Sequence, residues 1–320
     1  MNQLIVFLTI FTCLVCAQIY WNIEFPKQLK IRESAGDLWE ETKDYRFLSN
    51  FGKRLKTSWV IFAVTGLAFL FGFFGLTLFF TFISFLALRE FLSIVRLKGS
   101  DYWPIFCAFY IFLPLQYFFV LIDLQFLFFI FIPVYVFLFN PILSVVASDD
   151  EEQFFERASK FQWAQIACIY CLSYLPAIAG MTLRNNYESS DLLIYFLAVI
   201  MFSDSLQYVF GSWLGKKKIA PKISPNKTWE GAIYGILAAS LIGTAMYKLT
   251  PFLWWQSFIV SLVICVVGFL GGLVMSGIKR SIKIKDWGDI LGGHGGILDR
   301  VDSMIFAAPL FYHLCKYFFR

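Results

Sequence analysis

The residues best equipped for chemistry crowd into one polar stretch, Ser276 to Ser303, which carries Lys279, Arg280, Lys283, Lys285, Asp286, His294, Asp299, Arg300 and Asp302. Asp299 and Asp302 stand three residues apart where the chain turns apolar again, so a helix starting there holds both carboxylates on one face of its first turn. Two such carboxylates repel unless something positive sits between them. Oxygen-only donors favour Mg²⁺ over zinc, and Asp286 is the expected third carboxylate from the same stretch. Gly292, Gly293, Gly295 and Gly296 surround His294. Lacking side chains, they let the backbone pass close to a ligand and offer N–H groups to an anion. The neighbouring cations suit a ligand with several phosphates, because metal and cations share its charge. The plainer alternative is a basic collar at a membrane boundary, with the acids pairing to it.

A second polar stretch, Gly211 to Gly231, contains Lys216, Lys217, Lys218, Lys222, Ser224, Lys227 and Thr228, and is stiffened by Pro221 and Pro225. It is not a Walker A loop: three residues rather than four separate Gly211 from Gly215-Lys216, and no Ser or Thr follows that lysine. Upstream, Asp204 interrupts the apolar run Leu192 to Phe210. A charge there costs about 2.5–3.5 kcal/mol on insertion scales, so Asp204 is expected to face the bundle interior and a partner, either as part of a reactive centre or paired with a lysine.

The elements that must position these groups are apolar helices. The chain has 320 residues, 59% hydrophobic and 15% charged, with mean hydropathy +0.68, whereas soluble domains are about 25% charged. An ordinary soluble domain is excluded. Spanning hydrocarbon takes about 20 apolar residues, and such runs predict helices near 3–20, 58–72, 75–95, 104–121, 124–146, 162–181, 191–212, 231–248, 253–275 and 303–319. The expected fold is all-α, a polytopic membrane bundle of about ten transmembrane helices. Its least marked divisions are Gly72-Phe73-Phe74-Gly75 and Ile122-Asp123. Residues 1–57 read as an N-terminal helix plus a basic segment, and 58–320 as the membrane domain, most diagnostic over 204–303.

Met1 to Tyr20 lacks the basic start and small-residue cleavage site of a signal peptide, which makes it an expected uncleaved helix. Of the 27 basic residues, 23 fall on or beside alternate connections, which puts the polar loops on the cytoplasmic side of an inner membrane with both termini outside. Asp149-Asp150-Glu151-Glu152 reads as solvated surface. All seven cysteines lie in apolar runs and read as packing residues, with neither a disulfide framework nor a metal site expected.

Across Ser276-x-Ile278-Lys279-Arg280, Lys285-Asp286-x-Gly288 and Gly292-x-His294-Gly295-Gly296-Ile297-x-Asp299-Arg300-x-Asp302 the chain resembles the phosphatidate cytidylyltransferase family, without departure. Lys222, Ser224-Pro225-x-Lys227-Thr228-Trp229-Glu230-Gly231 is similar to that family's second characteristic segment. The resemblance implies transfer of CMP from CTP to phosphatidate, giving CDP-diacylglycerol and pyrophosphate in phospholipid biosynthesis. It implies a metal-dependent centre at Asp286, Asp299 and Asp302, with Lys279, Arg280, Lys285, His294 and Arg300 around the phosphates. Lys222, Ser224, Lys227 and Thr228, with Ser276 and Asp204, are expected on the CTP side.

Mg²⁺ is the expected cofactor; a second, monovalent cation and a homodimer are left open. Membrane lipids are expected partners and nucleic acid is not. Upstream the chain departs from the family, with Asp204-Ser205-Leu206-Gln207-Tyr208 and Gly211-Ser212 in place of Asp-x-x-Ala-Tyr and Gly-Arg. The competing readings are a cytidylyltransferase or CTP-dependent kinase acting on a polyprenyl or ether lipid, and an ion-coupled transporter using the buried acids.

Overall fold

The computed structural model describes residues 2–35, 43–95, 101–148, 154–183, 188–290 and 295–319. His294 and the acidic run Asp149-Asp150-Glu151-Glu152 lie outside the described residues. Within them the chain forms ten helical rods: α1 (Asn2–Ala35), α2 (Lys43–Leu70), α3 (Gly72–Ile94), α4 (Tyr102–Leu121), α5 (125–148), α6 (154–179), α7 (Ser189–Leu214), α8 (Trp229–Ala245), α9 (Trp254–Ser281) and α10 (Leu298–Phe319). A two-stranded antiparallel hairpin, β1 (Lys218–Ala220) and β2 (Ser224–Thr228), joins α7 to α8. Five rods (Gly72–Ile94, Tyr102–Leu121, Gln125–Val146, Ser189–Leu214 and Trp254–Ser281) are long and apolar enough to cross a membrane. The other rods carry charges or run short: α8 has 17 residues, and the first turn of α10 holds Asp299, Arg300 and Asp302.

Both short divisions are real. Gly72, at φ +62°, starts α3 with only Phe71 between it and the end of α2, and Asp123, at φ 51°, turns the chain between α4 and α5. Several rod ends differ from expectation. The second helix begins at Lys43, not 58, so no helix boundary falls between 57 and 58. The ninth continues beyond 275 through Lys279 and Arg280, because lysine and arginine are good helix formers and complement a helix C-terminus. The tenth begins at Leu298 rather than 303, drawing its acids into the helix. Helices α4, α5 and α6 each contain one π turn; Pro133 lies within that of α5 and Pro114 just after that of α4, where a missing N–H is absorbed by the wider turn.

The rods that frame the polar loops pack by small residues. On α8, Gly231, Gly235, Ala239 and Gly243 recur every fourth position and are all buried. A Cβ on Gly235 would lie 2.6 Å from the backbone of Gln207 on α7, and one on Gly231 would lie 2.6 Å from the Cα of Gly211. Backbones this close gain packing and interhelical contacts that bulkier residues forbid in an apolar medium. Buried hydroxyls are satisfied across helices: the Tyr195 hydroxyl on α7 meets Ser261 Oγ of α9 at 2.7 Å and Ser257 Oγ at 3.0 Å. Trp287, from the loop after α9, is 1% exposed and stacks on Phe91 of α3.

Candidate active site

The hairpin turns at Pro221-Lys222-Ile223, where the Ile223 N–H donates to the Ala220 carbonyl at 3.1 Å. Lys222 is exposed at this tip, and Ser224 pairs with Ala220 at the start of β2. Thr228 caps α8: its Oγ1 accepts the Gly231 N–H at 3.2 Å, and the residue is buried. Its hydroxyl is therefore committed to the helix start. Glu230 accepts the Lys216 N–H at 3.0 Å and the Lys217 N–H at 3.1 Å, fastening the lysine run to the same turn.

Helix α9 ends in a Schellman motif. The Ile284 N–H donates to the Lys279 carbonyl at 3.0 Å and the Lys283 N–H to that of Arg280 at 3.1 Å, with Lys283 left-handed at φ 61°. This turn aims Arg280 sideways. Its Nε donates to the Ile223 carbonyl at 3.2 Å and one terminal nitrogen to the Ile284 carbonyl at 2.7 Å. One guanidinium thus joins the two polar stretches, bonding a residue 57 positions away in sequence. Ser276 donates back to the Gly272 carbonyl at 2.7 Å, within its own helix.

Asp299 is the knot of the C-terminal loop. Its Oδ1 accepts from Lys279 Nζ at 2.7 Å, while Oδ2 accepts from the Trp287 N–H at 2.8 Å and the Gly296 N–H at 3.1 Å. Gly295, at φ +79°, makes the turn that brings Gly296 to this carboxylate. Beneath the knot lies a residue sequence reasoning missed. Glu90 of α3, 3% exposed, accepts the Ile297 N–H at 2.9 Å and the Leu298 N–H at 2.8 Å, capping α10 from another helix. The available signal was an acid inside the apolar run 75–95, the feature that singled out Asp204.

The remaining acids meet at Ser303. Its hydroxyl donates to Asp204 Oδ2 at 2.8 Å and its N–H to Asp302 Oδ1 at 2.8 Å. Asp204 thus turns toward a neighbouring helix and a partner, as expected, with its carboxylate held by Ser303 of α10, while the residue as a whole keeps access to solvent. Lys227 and Arg300 act on its charge. Lys227 reaches in from β2 with its ammonium 4.8 Å from the centre of the Phe269 ring. A Cβ on Gly272 would lie 3.0 Å from that nitrogen, so the glycine makes room for it. Burial pushes the Lys227 ammonium below its ordinary range, against the opposing pull of Asp302 and Asp204.

The expected three-carboxylate set is thus rearranged. Among the described residues, no group of three or more His, Cys, Asp or Glu side chains is gathered to hold a metal. Asp286 and Lys285 are exposed on the loop, and Asp299 already accepts from one ammonium and two N–H groups. Asp204, held by the Ser303 hydroxyl, and Asp302, held by the Ser303 N–H, are hard oxygen donors in a cationic surround. That donor set fits Mg²⁺, which binds through one or two carboxylates plus substrate phosphates rather than in an all-protein cage.

The cytidylyltransferase family model matches residues 52–318. The uncharacterized protein YnbB of Escherichia coli (strain K12) is 36% identical over 244 residues, 75% of this chain and 78% of that protein. A phosphatidate cytidylyltransferase of Staphylococcus saprophyticus is 39% identical over 158 residues, 48% of this chain and 60% of its own length. One from Staphylococcus aureus (strain COL) is 38% identical over 145 residues, 45% and 56% of the two chains. This chain therefore spans little more than half the length of the two phosphatidate cytidylyltransferases. With the match covering most of its residues and the polar stretches joined as described, the chain belongs to the cytidylyltransferase family, as a helical membrane protein and a nucleotidyltransferase.

Proposed function

We propose that the chain transfers CMP from CTP to phosphatidate, giving CDP-diacylglycerol and pyrophosphate, at the cytoplasmic face of an inner membrane. The observation that carries this reading is the meeting of Asp204, Asp302, Lys227 and Lys279 where the two polar stretches are tied together by Arg280. The lipid phosphate is already ionised at neutral pH, so attack on the α-phosphorus requires no strong base. An oxygen of the lipid phosphate bonds to that phosphorus while its bond to the bridging oxygen of the β-phosphate breaks, and pyrophosphate departs. The task is to hold two anions in line, which is positioning and charge neutralisation.

Lys227, from β2, and Arg300, from the first turn of α10, approach the acids and are suited to the triphosphate and the departing pyrophosphate. Asp204 and Asp302 would hold Mg²⁺, which when bound neutralises phosphate charge as a Lewis acid. Asp299 and Lys279 keep the first turn of α10 in place. The basic loops, by the excess of Lys and Arg, favour the cytoplasmic side.

A second reading, another lipid phosphate as acceptor, is favoured by Gln207, whose amide donates to Ser203 Oγ at 2.8 Å one turn from Asp204, where the family shows alanine. Purified protein incubated with labelled CTP, Mg²⁺ and a panel of phosphorylated lipids, with and without chelator, tests both. CDP-diacylglycerol formed only with phosphatidate and Mg²⁺ supports the first reading. CDP plus a phosphorylated lipid, or no turnover of CTP with any acceptor, overturns it.

A further inference from the structure

Glu90 and Phe91 of α3 together hold the loop that delivers the acids of α10, although both lie far upstream of every polar motif. The two carboxylate oxygens of Glu90 each take one N–H of the helix start, Ile297 on Oε1 and Leu298 on Oε2. A two-point hold fixes both the height and the rotation of the first turn of α10, where Asp299, Arg300 and Asp302 sit. The loop backbone closes around the same carboxylate: a Cβ on Gly288 would lie 2.9 Å from Oε1, and one on Gly296 would lie 2.6 Å from Oε2. Those two glycines are thus the space Glu90 occupies. Beside it the Phe91 ring stacks on Trp287 at 5.0 Å and 23°, and the Trp287 N–H donates to Asp299.

We propose that Glu90 is a positioning residue for nucleotidyl transfer, setting the register of α10 so that Asp302 meets Asp204 and Ser303 in the reacting geometry. It touches neither substrate nor metal; it acts through the backbone of Ile297 and Leu298. A negative group at a helix N-terminus stabilises the exposed N–H groups there. Glutamate spans two adjacent N–H groups with one planar fork, which glutamine does only in part because its amide nitrogen faces one of them. The proposal rests on the transferase reading above.

The test compares native full-length protein with Glu90→Gln and Glu90→Ala in detergent, reading kcat and KM for CTP together with amide hydrogen exchange. The expected result is a fall in kcat of about 10-fold for Glu90→Gln and about 100-fold for Glu90→Ala, with KM for CTP within about threefold of native. Exchange at 295–300 rises in both variants and that of α7 stays native. Native kcat with native exchange at 295–300 in Glu90→Ala overturns the proposal. So does a uniform rise in exchange through all helices, which marks a merely structural role. If Glu90→Ala does not fold, the isosteric Glu90→Gln decides alone by the same readouts. If the native protein turns over CTP with no lipid phosphate, the transferase reading has failed, and the exchange at 295–300 decides whether Glu90 holds the loop.

Discussion

Lys279 and Asp299 form an ion pair of 2.7 Å whose side chains are 10% and 9% exposed, joining the end of α9 to the start of α10. Removing the cation alone strands a buried carboxylate, an effect of about 3–5 kcal/mol. Lys279→Met is therefore expected to lower stability by about that much, read as thermal unfolding in detergent. Lys279→Met combined with Asp299→Leu regains part of the stability but not CTP turnover, because the Trp287 and Gly296 N–H groups lose their acceptor. A Lys279→Met protein as stable as native would count against the pair.

The acids separate into two classes. Asp204→Asn and Asp302→Asn are each expected to lower the initial rate with labelled CTP by about 100-fold or more, since these side chains converge on Ser303. Asp286→Asn is expected within about threefold of native, because this group is exposed and outside that cluster. The reverse order would reinstate the grouping of Asp286 with Asp299 and Asp302.

Arg280 makes two main-chain contacts that no lysine reproduces, one to Ile223 and one to Ile284. Arg280→Lys is expected to raise KM for CTP by about 10-fold with a smaller change in kcat, as the hairpin carrying Lys227 loosens. Steady-state kinetics over a CTP series checks this; an unchanged KM would show that the hairpin is held without Arg280.

Glycines give a paired comparison. Gly235→Val forces a branched side chain against the α7 backbone 2.6 Å away, an overpacking change of about 1–3 kcal/mol. It is expected to lower both the unfolding temperature and activity, since Asp204 rides on α7 and Lys227 on the strand that leads into α8. At Gly277 a Cβ would meet, among the described residues, one side-chain atom at 4.0 Å, that of Ile223, and Gly277→Ala is expected to be tolerated.

The rods and their order were legible because long apolar runs interrupted by lysine-rich loops leave little choice of architecture. Lys227, Lys279 and Asp302 were legible as a charged cluster for a similar reason: spanning a membrane does not require them. What escaped was pairing across distance. Asp286 and Asp299 look alike along the chain, yet one lies exposed on the loop and the other is bound by three donors. Glu90 is 207 residues from the N–H it caps, and nothing along the chain pairs the two. The glycines around His294 were read as ligand-facing backbone; of these, Gly296 abuts a carboxylate of the same protein, as does Gly288. The four-residue recurrence from Gly231 to Gly243 gained its meaning only from the closeness of Gln207.

Because the C-terminal loop is tied down on a helix from the first third of the molecule, the stretch that bears every motif, 204–303, is not a transplantable cassette. A fragment starting after α6 would keep all of its acids and lysines and lose the peg on which they hang. Grafting or dissecting this protein therefore requires α3 as well, supplied either on the same chain or as a separately expressed N-terminal half.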